Sequence, residues 1–126
     1  MAEFEVHADT NKNRVYVRIE GSLNIEEAEQ LKEAYADAVD KCSPGFTVLN
    51  DVSELHPCIP EVQEILQKIT EIASRSGVGR VARVVGKTPL AGLQIDRISK
   101  SKSHYHGESF KNIDDAEAYL DEQKSD

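Results

Sequence analysis

The chain has 126 residues, 39% of them hydrophobic and 30% charged, and a formal net charge of −8. That length fits one domain able to bury its own core without a disulfide or metal staple. The negative charge argues against general nucleic-acid binding, and no apolar run approaches the roughly 20 residues that make a transmembrane segment.

The opening MAEFEVHADT is acidic and lacks an apolar signal core, so no secretory or transit peptide is expected and a cytoplasmic location is. Residues 3–8 alternate polar and apolar, as a strand with one wet face does. The polar cluster 9–13 is a turn, and residues 14–20 alternate again, with Val15, Val17 and Ile19 on one face. Two alternating runs around a polar turn predict an antiparallel hairpin.

Asn24 with Glu27 has the spacing of a capping box. Ala28, Leu31, Tyr35, Ala38, Val39 and Cys42 then recur at helical intervals until Ser43-Pro44-Gly45. Residues 46–52 read as a mostly apolar central strand, and 53–59 as a connecting loop. Pro60 suits the first turn of a helix. Behind it Val62, Ile65, Leu66, Ile69, Ile72 and Ala73 form the strongest apolar stripe in the chain, closed by Gly77 and Gly79.

Residues 81–85 form the next strand, and Thr88-Pro89 opens a helix over 88–101. Residues 104–110 hold a short strand or loop anchored by Phe110. Asn112 with Asp115 opens a last helix whose Ile113, Ala116, Tyr119 and Leu120 are expected to face inward. The domain spans residues 1–122, and the tail 123–126 is expected to be disordered. The predicted order is a β-hairpin followed by α-β-α-β-α-β-α. Such alternation implies an α/β domain with a mixed, mostly parallel sheet and packed helices. Contacts in such folds gather at the carboxyl ends of the parallel strands.

This order and several local segments resemble the STAS fold, found in bacterial anti-sigma-factor antagonists of the SpoIIAA type. Phe46-Thr47-Val48-Leu49-Asn50-Asp51-Val52-Ser53-Glu54-Leu55 looks like that family's strand running into an Asp-Leu-Ser segment. Gly77 to Val85 looks like its next strand, and Phe110 to Leu120 like its closing Phe and capped helix. The likeness extends to uncharacterised bacterial proteins called SpoIIAA-like or STAS/SEC14-like. It implies a non-enzymatic regulatory module with a protein partner. The regulated members carry a phosphorylatable serine at the start of the central helix. Here that place reads Cys58-Ile59-Pro60-Glu61-Val62, with no Ser or Thr. Glu61 stands about where a phosphoserine would, at the helix end that favours negative charge.

No catalytic motif stands out. His56 and Cys58 are close in sequence, yet neighbours two apart rarely hold a nucleophile–base geometry. Cys42 and Cys58 lack the spacing of a zinc site, and His104 with His106 lacks a third ligand, so neither metal nor cofactor is expected. Glu26-Glu27 and Asp114-Asp115 suit helix first turns. Residues 75–111 carry eight cationic side chains against Asp96 and Glu108, a basic stretch within an acidic chain. Arg83 in mid-strand is unusual and either pairs with a helix carboxylate or reaches an edge.

Two readings remain open. In the first, a protein partner docks on the loop 53–60 and the exposed face of the following helix, with Ser53, Glu54, His56, Cys58 and Glu61 as contacts. Self-association through a sheet edge is a variant of it. In the second, the domain carries a small apolar or anionic, lipid-like ligand. Helices 60–75 and 88–101 would then part from the sheet, with Lys87, Thr88, Arg97 and Lys100 at the ligand's charged end.

Overall fold

The computed structural model describes residues 2–86 and 106–122, with the backbone alone at His106. Strands β1 (Ala2–Asp9) and β2 (Arg14–Gly21) form the expected antiparallel hairpin, in unbroken register from Ala2↔Gly21 to Asp9↔Arg14. Asp9 closes its turn by accepting the N–H groups of Asn11 and Lys12 at 3.1 and 3.2 Å. Helix α1 (Ile25–Asp40) starts in the complete capping box read from the sequence: Asn24 accepts the Glu27 N–H, and Glu27 accepts the Asn24 N–H.

Strand β3 (Thr47–Leu55), helix α2 (Pro60–Arg75), strand β4 (Arg80–Val84), strand β5 (His106–Phe110) and helix α3 (Ile113–Glu122) complete the described elements. The five strands lie in chain order, β1-β2-β3-β4-β5. Every pair after the hairpin is parallel, so the expected mixed, mostly parallel sheet is present. The helix expected over 88–101 and the tail 123–126 lie outside the described residues.

The sheet separates two apolar layers. On one face Val15, Val17 and Ile19 of β2, Val48 and Val52 of β3 and Val81 of β4 pack with both longer helices. Leu31, Tyr35 and Val39 come from α1; Val62, Ile65, Leu66 and Ala73 come from α2. The stripe singled out between Val62 and Ala73 is thus turned into the core, over a sheet whose inner strands include β3 and β4. On the other face Leu49, Ala82 and Val84 meet Ala116 and Leu120 of α3. One inward expectation fails: Ile113 is exposed, because the first residue of α3 projects beyond the edge of that smaller core.

Strand β3 runs three residues further than the pattern predicts, so Ser53, Glu54 and Leu55 are strand rather than loop. The reason is a bulge. Arg18 pairs with Asp51, but Glu20 pairs with Glu54, leaving one extra residue across Val52 and Ser53. Val52 and Leu55, three apart, therefore both reach the larger core. Alternation reads as broken there, although pairing continues.

Candidate functional site

The segment from the bulge to the first turn of α2 holds the predicted contact residues at the carboxyl end of β3. Asp51 fixes the bulge: its Oδ1 accepts the Ser53 hydroxyl at 2.6 Å and the Ser53 N–H at 3.1 Å. Gly86, after β4, closes over it, and a Cβ there would stand 3.2 Å from that of Ser53. Glu54 is exposed one residue on. His56 is tied to the end of β2, its N–H donating to the Gly21 carbonyl at 2.9 Å and its Nδ1 lying 3.0 Å from Ser22 Oγ. Gly21 sits at φ +82°, a conformation glycine adopts without steric cost.

Glu54 and His56 are brought together with Glu3, Glu20 and Gly21 around an open cleft of about 500 Å³. Three of its walls follow from the register: Glu3 pairs with Glu20, and Glu20 with Glu54, so the three stand in one row across β1, β2 and β3. Glu3 and Glu20 drew no attention in the sequence, where each is an ordinary outward residue of a strand. Only pairing shows them side by side.

Cys58 lies apart from this cleft. It is buried in the larger core, and its Sγ donates to the His56 carbonyl at 3.6 Å. Burial pushes its thiol above the usual range, so it stays protonated and unreactive near neutrality. A thiol in that state is not an activated nucleophile. The Cys58 carbonyl accepts from Gln63 Nε2 at 2.9 Å, which binds the loop to α2.

Helix α2 begins without a side-chain cap. Ile59 holds the N-cap position, Pro60 follows, and the acidic Glu61 occupies the first turn. Ile59 is 51% exposed. An isoleucine gives an N-terminus no side-chain acceptor, so capping does not explain it there. The loop thus presents an apolar tip flanked by the exposed His56 and Glu61, with Glu54 and the acidic cleft behind. The sequence signal was available, a bulky apolar residue just before a helix-opening proline, but such a residue is usually read as core.

The opposite face of the sheet holds a buried arginine with two carboxylate partners, which strand alternation did not predict. Arg14, 0% exposed, donates from Nε to Thr47 Oγ1 at 2.8 Å, from NH1 to Glu117 at 3.0 Å and from NH2 to Asp121 at 2.9 Å. Burial works against its charge, but Asp121, Tyr16 and Glu117 more than offset that and raise its pKa. Arg80 adds a second tie, donating to the Tyr119 carbonyl at 2.8 Å while its guanidinium lies 4.7 Å from the ring centroid. Together they clamp α3 to the sheet. Beside that clamp Glu5, His7, Tyr16, Arg18, Leu49 and Ile113 border a groove of about 130 Å³. The His7 and Tyr16 rings stack at 5.0 Å.

Among the described residues no group of three or more His, Cys, Asp or Glu could hold a metal ion, and no helix is long and apolar enough to cross a membrane. Lys87, Thr88, Arg97 and Lys100, the residues of the carrier reading, lie outside the described residues, as does His104.

No protein-family model matches the chain, and no curated protein matches it. Solved structures do. An uncharacterized DUF3478-family protein with a SpoIIAA-like fold from Shewanella loihica superposes with a TM-score of 0.74 at 16% identity, covering 95% of each chain. This chain has the SpoIIAA-like fold. SpoIIAA in its unphosphorylated form, an anti-sigma factor antagonist, matches with a TM-score of 0.63 at 13% identity over 98% of each chain. An anti-sigma factor antagonist from Mycobacterium paratuberculosis gives 0.61 at 16% identity, over 94% of this chain and 95% of that one. With so little identity, the SpoIIAA-like likeness is one of backbone path and says nothing about which side chains act.

Proposed function

We propose that this SpoIIAA-like domain is a non-enzymatic regulatory module of the cytoplasm that binds a protein partner through the end of β3 and the start of α2. The observation that carries this reading is Ile59: a large apolar side chain, half exposed, at the uncapped end of the central helix. Apolar residues ringed by polar ones are typical anchors of docking surfaces. His56 and Glu61 flank it along the chain, Ser53 and Glu54 stand at the end of β3 before it, and Cys58 holds the loop from inside. Two of the structural neighbours are named as anti-sigma factor antagonists, which supports a protein as the partner. Glu61 at the first turn of α2 gives the site a permanent negative charge where the resemblance places a switchable phosphoserine. The module is therefore constitutively competent and needs no kinase.

The test is a pull-down from the native cytosol with Ile59→Asp and with His56→Ala. Partners bound through this surface are lost with Ile59→Asp, while the fold, followed by circular dichroism, is kept. Recovery of every partner by both variants overturns the reading. Native mass spectrometry of the chain taken from cells separates it from the carrier reading, which requires a bound small molecule.

A further inference from the structure

Among the described residues the sheet ends in β1 and β5, which are built differently. β5 is five residues long, contains Gly107 and is followed at once by α3. β1 is eight residues long, longer than a typical strand, and pairs with β2 without a bulge. Among the described residues only β2 pairs with it. It carries no proline and no lysine, the usual guards of an exposed edge. Its faces are sharply divided. Ala2, Phe4, Val6 and Ala8 sit half-buried against the larger core, while Glu3, Glu5 and His7 stand exposed on the other side.

The glutamates decide what such an edge accepts. In an antiparallel pair, residues directly opposite share a face, and like charges there repel. A two-fold pairing of β1 with a second copy, centred on Phe4, sets Glu3 against Glu5. Centred on Glu5, it sets Glu5 against itself; centred on Val6, it sets Glu3 against Asp9. The neighbouring strands add Glu20 and Glu54 in the row of Glu3. Arg18 reaches Glu20 at 2.7 Å and Glu5 at 3.6 Å, so one cation serves two of the carboxylates on this face.

We infer that the free edge of β1 takes on an added strand from a protein partner, an extended segment alternating lysine or arginine with apolar residues. The cations would stand beside Glu3 and Glu5, and the apolar residues beside Phe4 and Val6, continuing the layer under α1. Backbone hydrogen bonds supply affinity in this mode and the alternate side chains supply selectivity. The site shares the acidic row of Glu3, Glu20 and Glu54 with the cleft described above but makes no use of Ile59, so it goes beyond the earlier reading and does not depend on it.

The probe is an end-blocked peptide alternating lysine and valine, matched to the eight residues of β1. A peptide alternating glutamate and valine is the control. Titrated into the isotope-labelled full chain, the lysine peptide shifts the amides of β1 and slows their hydrogen exchange. It binds about tenfold or more tighter than the control, and loses affinity as salt rises from about 50 mM to about 500 mM. Glu3→Gln with Glu5→Gln weakens it about tenfold with no fall in melting temperature, and Glu3→Lys with Glu5→Lys abolishes it. Ile59→Asp leaves it unchanged, which keeps this result distinct from the pull-down. Equal binding of both peptides, shifts centred away from β1, or a concentration-dependent dimer that itself protects β1 would overturn the inference.

Discussion

Arg14 shows how much one side chain can organise. Its guanidinium is fully buried, and its partners come from β3 and from two turns of α3. Removing it takes from Glu117 and Asp121 the buried cation they share, leaving Glu117 with the more exposed Lys12 at 3.3 Å. Arg14→Ala should therefore cost about 3 kcal/mol, the low end for such a loss, because Glu117 and Asp121 keep some access to water. Urea denaturation of the variant and the parent measures it. Glu27 offers a pH test. The Asn24 N–H, and then the Ala2 N–H, hold its carboxyl below the usual range. A carboxylate with a depressed folded pKa contributes stability that is present above its unfolded pKa and lost as pH falls through the folded one. Acidification should thus loosen both the α1 cap and the start of β1. Carboxyl titration by NMR should place the midpoint below that of an ordinary glutamate, and the Ala2 and Asn24 amides should lose protection together.

At the level of elements, the helices were easier to read than the strands. The capping box of α1 is a local signal, complete within four residues, and it forms as written. Asn24→Ala should cost about 1 kcal/mol in equilibrium unfolding. The stripe of α2 has the 3.6 period and faces the core, so Leu66→Ala should cost about 2–5 kcal/mol by the same measurement. β3 was legible only to Val52, because the bulge shifts the period by one and alternation cannot follow it. The candidate site was legible as a stretch of chain. Its acidic wall was not, since Glu3, Glu20 and Glu54 are distant in sequence and adjacent only through strand register. Arg14 was hidden for the same reason: a cation in a strand looks outward until the helix that covers it is placed.

At the scale of the whole molecule, the described residues form one large core and one small one. The large core joins β2, β3 and β4 to two helices. The small one depends on α3 alone among the described residues, with Ala116 and Leu120 closing over Leu49, Ala82 and Val84. A chain ending at Asn112 would expose that apolar strip and the Arg14 guanidinium together. It should aggregate on size-exclusion chromatography under conditions that leave the full chain monodisperse.

The clamp between residue 14 and residues 117 and 121 ties the second strand to the last helix. During synthesis those partners leave the ribosome 103 and 107 residues after the arginine. Until they emerge, Arg14 lacks the carboxylates of Glu117 and Asp121, and Leu49, Ala82 and Val84 lack Ala116 and Leu120. A product terminated just before α3 therefore carries an apolar strip and a guanidinium without their α3 partners, and the arrival of α3 is the step that seats the hairpin.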